Sequence, residues 1–313
     1  MKTEDIISMG ELLALSSALM YAFHATILRW GLSKDKQSNS VMEIQLINLF
    51  FGLSFLFISV LLGILFLDYS LINEFASING YSFFLVVLEG LAGPLAGLFL
   101  VTTAIGQIGA SRTTILLTTN ILFTALFSIF VFGENPGLPG FLGIATMFTG
   151  IFIVSHKSEE ETVPMLPRHK IKGVFLALLS ALCFTFSQIA RGEALDHGAT
   201  PVSTLIIGCL SAMIFVTIYC VLKGSPKEIF SHFSFKSASS YAVGGILVIF
   251  ARLVLLLAFT FVPVWIAVAI RNTQPLMVLL ITWLFFRKTE VVNFKIVFGA
   301  CLILGGIWLL LNF

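Results

Sequence analysis

Of 313 residues, 58% are hydrophobic and 11% charged, with a mean hydropathy of +1.02; a soluble chain carries about 25% charged residues, so a water-soluble domain is excluded. The formal net charge of +2, with no Lys/Arg-rich run, excludes the phosphate-tracking surface of a nucleic-acid binder. At roughly 30 residues per span and loop, the chain holds on the order of ten transmembrane helices, and any function has to lie within the bundle.

Apolar runs between charged or turn-rich breaks predict spans over 10–30, 42–67, 82–104, 111–132 and 139–155. Met1 to Gly10 carries Lys2, Glu4 and Asp5 and has neither the basic region nor the small-residue cleavage site of a signal peptide, so the first run is expected to persist as a span. Gly133-Glu134-Asn135-Pro136-Gly137 is a strong turn signal before the fifth span. A polar stretch over 156–172, with Glu159-Glu160-Glu161, Pro164 and Pro167, reads as a linker. Five further spans follow over 173–192, 201–222, 238–260, 264–286 and 291–312. Cys183, Cys209, Cys220 and Cys301 all fall in apolar runs, where cysteine packs as a small hydrophobe.

The stretch 237–286 stands apart: its only charges are Arg252 and Arg271, and it contains the polar patch Asn272-Thr273-Gln274-Pro275. Irregular backbone within a bilayer persists only where protein or water satisfies it, so Pro275 predicts a helix break around a solute.

The halves of the chain repeat. Gly10, Ala14, Leu15, Ser17, Ala18, Leu19 and Phe23 match Gly173, Ala177, Leu178, Ser180, Ala181, Leu182 and Phe186 at a displacement of 163. Phe130, Glu134, Gly143, Gly150 and Ile151 match Phe286, Glu290, Gly299, Gly306 and Ile307 at a displacement of 156. The expected organisation is a first repeat over 1–155, the linker over 156–172 and a second repeat over 173–313. An odd number of spans per repeat inverts the second copy, so the fold class is an all-α integral membrane protein of ten transmembrane helices in two inverted five-helix repeats. In that architecture solute binds near the midplane between repeats.

The small-residue openings Leu-Ala-Leu-Ser-Ser-Ala-Leu and Leu-Ala-Leu-Leu-Ser-Ala-Leu of the first and sixth spans, Phe132-Gly133-Glu134 closing the fourth, and the Gly-rich fifth and tenth spans make the chain similar to the ten-helix branch of the drug/metabolite transporter superfamily, the EamA-type transporters. The family pattern places a proline midway along the fourth and ninth spans; Pro275 fits the ninth, and Thr119 stands at the counterpart position in the fourth. The ninth span ends in Arg287-Lys288-Thr289-Glu290 rather than Phe-Gly-Glu. The resemblance implies movement of small organic solutes such as amino acids, other metabolites or drugs, by export or exchange, with both termini cytoplasmic. The charge count implies the opposite orientation: 14 of the 18 Lys and Arg fall in odd-numbered connections, which the positive-inside rule places in the cytoplasm. The expected setting is the cell (inner) membrane, with multiple passes.

Arg252 lies too far from either end of its apolar run to reach an interface, so it predicts a cavity-facing cation or an ion pair, with snorkelling as the alternative. Glu89 is its expected partner and also a candidate proton-coupling carboxylate. It precedes Gly90, Gly93, Pro94 and Gly97, a series that permits close packing or a kink at Pro94. Arg271 corresponds to Ile115 in the other repeat and is expected to snorkel toward a mouth; with Arg112 it would form a pair of gates. Glu43, Arg112, Arg29 and Arg191 are expected at the interfaces. His24 is either a solute or proton ligand or a satisfied core histidine. Asn120, the Thr118-Thr119 pair, Gln188, Asn272 and Gln274 either line a polar cavity or bond between helices.

The leading function is secondary transport of a small organic solute, with Arg252 meeting an anionic group. No Walker loop is present to power a pump. An intramembrane enzyme is the rival: the five histidines are scattered and no His-Glu-x-x-His occurs, so no metal site is expected. A lipid scramblase fits the composition but not a charged midplane. The expected partners are a small-molecule solute and the lipid bilayer, with no cofactor and no nucleic acid, and a monomer is compatible with the sequence.

Overall fold

The structure, a computed structural model, describes residues 3–34, 41–67, 70–132, 137–155, 167–223, 235–258, 261–262, 267, 270–285 and 294–311. These are helical apart from turns. The first half comprises α1 (Thr3–Lys34), α2 (Val41–Leu67), the short α3 (Leu71–Ala76), α4 (Gly80–Gly90), a π-helical segment (Leu91–Gly97), α5 (Leu98–Ile108), α6 (Ala110–Leu117), α7 (Thr119–Phe132) and α8 (Gly137–Ser155). The second half comprises α9 (Pro167–Asp196), α10 (Pro201–Lys223), α11 (Phe235–Ala258), α12 (Gln274–Phe285) and α13 (Phe294–Leu311).

Among the described residues, seven helices are long and apolar enough to cross a bilayer. Helices α12 and α13 are apolar but shorter. The expected fourth span is divided into α6 and α7. Large apolar side chains such as Leu65, Phe66, Phe152 and Leu222 point outward, with 65–81% of their surface uncovered, as lipid-facing residues do. The chain is a multi-pass integral membrane protein.

Several boundaries differ from the sequence expectation. Helix α9 begins at Pro167, so 167–172 is helical and not linker; proline at a first helical position loses no hydrogen bond and already has the helical φ. Helix α1 begins at Thr3, ahead of the expected Gly10. The rest of the predicted linker (156–166), the Gly133 to Pro136 turn and the Arg287 to Glu290 segment lie outside the described residues.

The halves pack reciprocally. Helix α1 lies along α11, while its counterpart α9 lies along α4, the π segment and α5. Helix α2 packs on α11 as α10 packs on α4, and α12 meets α1 as α6 and α7 meet α9. The hydrogen bonds follow the same exchange. Ser17 Oγ donates to Ala251 O at 2.7 Å, and Ser180 Oγ, displaced by 163, donates to Gly97 O at 2.8 Å. Helices α8 and α13 meet through the repeated glycines: a Cβ on Gly150 would lie 2.8 Å from Gly299 O, and one on Gly299 would lie 3.1 Å from Gly150 O. Small residues at these crossings let backbones approach where lipid offers no hydrophobic drive between helices.

Both repeats break one helix in the same way. At Thr118 the helical ladder tightens to bonds three residues back, Thr118 N to Ile115 O and Ile121 N to Thr118 O, each 3.2 Å. At Thr273 the same pair recurs, Thr273 N to Ile270 O and Leu276 N to Thr273 O, each 3.0 Å. Each threonine hydroxyl also donates to the carbonyl three residues back, at 2.7 Å. The predicted break at Pro275 is thereby corrected. The irregular turn is Asn272-Thr273, built by Thr273; Pro275 is the second residue of α12, where its missing N–H costs little.

Candidate functional site

Between the repeats lies a cavity of about 180 Å³ whose wall comes from α1, the π segment, α5, α6, α7, α9, α11 and the turn before α12. The polar groups on it include Arg191, Arg252, Arg271, Asn120, Asn272 and Gln274. The structure therefore gathers in one place residues that lie 150 positions or more apart in the chain.

Glu89 sits behind this wall on α4, with no exposed surface. Its Oε1 accepts from Arg252 Nη2 at 2.5 Å, from Arg191 Nη2 and from Ser187 Oγ at 3.3 Å. Arg252 is 8% exposed and also directs Nη1 at Cys209 Sγ, 3.6 Å away. A lone buried charge is costly, and sharing one carboxylate between two guanidiniums offsets that cost through charge-assisted bonds. The local backbone is shaped to admit the group. A Cβ on Gly208 would collide with Glu89 Oε2, and one on Gly90 would collide with Gly208 O and Ser211 Oγ, so α4 and α10 approach here at backbone distance.

Immediately after Glu89 and Gly90, the helix widens into the π segment around Pro94. Proline lacks the N–H for the bond four residues back and its ring crowds that carbonyl, so the turn opens. Gln45 of α2 satisfies the disturbed backbone, donating Nε2 to Pro94 O and, at 3.0 Å, to Leu95 O. Pro94 itself faces the cavity.

Arg271 is placed differently. It immediately precedes the Asn272-Thr273 turn, and its Cζ stands 4.8 Å from the centre of the Tyr21 ring. Its electrostatic neighbours among the described residues are Tyr21 and the like-charged Arg191 and Arg252, with no carboxylate. Nε of Arg271 and Nδ2 of Asn272, itself 4% exposed, are buried and unbonded. The positive end of α12 starts two residues beyond.

The other predicted candidates fall as follows. His24 is buried, with its Nδ1 2.8 Å from Gly244 O, and it is among the residues on the cavity wall. Asn120, Gln188 and Gln274 line the wall. Thr185 Oγ1 donates to Asn120 O at 3.1 Å, tying α9 to the broken helix. Three interfacial placements are corrected. Arg191 turns inward to Glu89, because α9 continues to Asp196 instead of ending at Gly192. Arg271 reaches the cavity, because the chain breaks directly after it. Arg112 is buried at 8% exposure within α6, off the cavity wall that Arg271 lines. Arg29 bonds to Ile105 O and Gly106 O, both at 3.1 Å.

Thr118, from the Thr118-Thr119 pair, is also on the cavity wall, whereas Tyr21 and Ser187 are cavity residues that the sequence reading passed over. The signal for Ser187 was its helical spacing of one turn from Arg191. Nothing in the sequence marked Tyr21. Among the described residues no group of three His, Cys, Asp or Glu is assembled as a metal site, and the four cysteines are free.

A comparison with curated proteins returns no match. A solved crystal structure that is 12% identical over 96% of both chains superposes with a TM-score of 0.62, a likeness of fold. The model of the EamA-like transporter family matches twice, at residues 8–156 and 171–312, one match for each half of the chain. With the two matches covering nearly all of its length, the chain belongs to the EamA-like transporter family.

Proposed function

We propose that this protein is a secondary transporter of a small organic solute bearing an anionic group, moved by alternating access through the arginine-lined cavity. The observation that carries the reading is the charge balance of that cavity: three guanidiniums, on Arg191, Arg252 and Arg271, line it, and among the described residues Glu89 is the one carboxylate bonded to them. Partly desolvated positive charge of this kind is stabilised by an anion and disfavours cations. The direct ligand of the anion is Arg271, and Arg252 contributes through its bond to Glu89.

The reciprocal packing of the halves supports two inverted five-helix repeats, 1–155 and 173–313 about the 156–172 connection, with α6–α7 and the segment ending in α12 as broken spans that complete a count of ten. Rocking of one repeat against the other would act on the bonds from Glu89 on α4 to Arg191 on α9 and Arg252 on α11, which join the two halves. Export or exchange is the direction the family relationship favours.

The test is reconstitution into liposomes with a panel of labelled anionic, zwitterionic, neutral and cationic solutes. Gradient-dependent movement confined to solutes with an anionic group is expected. A correctly folded protein that moves none of them, or that moves cations equally well, overturns the reading.

A further inference from the structure

Resting on that reading, and extending it to the charge of the cargo, we infer that the solute is a small divalent organic anion, a dicarboxylate or a phosphate monoester, held at two points. Among the described residues, three guanidiniums against one carboxylate leave two positive charges without a counter-charge. These charges are not equivalent. One belongs to Arg271, which has a π face beside it and no carboxylate among its described neighbours. The other is shared over Arg191 and Arg252, since both bond to the same oxygen of Glu89. The three lie within electrostatic reach of one another, so each raises the cost of leaving the others unneutralised.

The Arg271 end is a built anion site. Asn272 faces the cavity with a buried Nδ2 that has no bond, and α12, twelve residues long, begins two residues further on with its positive end. An oxyanion placed at this point gains the guanidinium, the amide donor and the helix end together. The second anionic group of the same solute then meets the surplus charge at Arg191 and Arg252. The wall also carries Leu98, Val101, Phe184 and Leu255, apolar surface that suits a short carbon chain. A monovalent anion satisfies one of the two charges only.

The experiment uses the full-length protein in two formats. Thermal unfolding in detergent is followed with succinate, glutarate, glycerol 3-phosphate, butyrate and glycine, and counterflow in liposomes is followed with the same labelled probes. A divalent probe is expected to raise the unfolding temperature at concentrations at least tenfold below those needed for butyrate, and to be moved in preference to it; the dicarboxylate and phosphate arms identify which divalent chemistry is preferred. In Arg271→Gln the preference for divalent over monovalent anions should fall at least tenfold, and in Arg271→Lys it should persist, which keeps the test valid should the glutamine variant fold poorly. Equal handling of butyrate and both divalent classes by the wild type, or an unchanged preference in Arg271→Gln, overturns the inference while leaving anion transport standing. Movement of glycine in preference to both divalent classes likewise overturns the inference, whereas movement of no solute at all removes the transport reading beneath it.

Discussion

Arg252 and Arg271 are the same side chain in the same apolar run, nineteen positions apart, both on the cavity wall, yet their surroundings differ in the one respect on which their proposed roles rest. Arg252 is bonded to a buried carboxylate. Arg271 rests on an aromatic ring, a contact worth about 0.5–2 kcal/mol, and faces like charges. On the proposed reading, the paired arginine holds helices together and Arg271 is left to bind the solute. The positive charge that strengthens the bundle at Arg252 is then, at Arg271, a cost that an anion would offset.

The largest effect is expected at the group that makes Arg252 and Arg191 structural. Glu89→Ala strands two guanidiniums, and loss of a buried partner costs about 3–5 kcal/mol, visible as a marked drop in unfolding temperature in detergent. An unchanged temperature would mean that the pair contributes nothing and that the two arginines are alike after all. The comparison is sharpened by matched variants. Arg252→Gln should lower both stability and transport, because Glu89 keeps only Arg191. Arg271→Gln should lower anion transport at least tenfold with stability unchanged or raised, because an uncompensated charge is removed. Equal destabilisation by both would erase the distinction. A smaller effect is expected of Gly208→Ala, whose methyl group would press on Glu89 Oε2; overpacking of this kind costs about 1–3 kcal/mol, read in the same unfolding measurement. The smallest concerns the breaks. Thr118→Val and Thr273→Val each remove one hydroxyl bond, worth about 1 kcal/mol, whereas Pro275→Ala should change stability by less.

Much of the fold was legible because repetition is a property of the sequence. The displacements of 163 and 156 named the residues, Ser17 with Ser180 and Gly150 with Gly306, that the structure uses at equivalent crossings. The Glu89–Arg252 pair was legible because opposite charges deep in apolar runs have few other ways to be satisfied. The helix breaks were misread for a physical reason: proline is conspicuous and threonine is not. Pro275 drew attention to one break and Thr119 hid the other, while in both repeats the turn is made by a threonine hydroxyl bonding three residues back. Arg191 was missed because Gly192-Glu193 resembles the end of a span, although α9 runs on to Asp196. The contrast between Arg252 and Arg271 could not be read along the chain at all. It depends on Tyr21 and Glu89, which reach the site from α1 and α4.

The most direct test of that contrast is uptake of a labelled small organic anion into liposomes carrying wild-type protein, Arg271→Gln or Arg271→Lys, with the folded state of each checked by its unfolding temperature. Gradient-driven uptake by the wild type, a loss of at least tenfold in Arg271→Gln at undiminished stability, and recovery in Arg271→Lys are the predicted results. Wild-type uptake of the anion by a folded Arg271→Gln protein would contradict the assignment of this arginine to the solute.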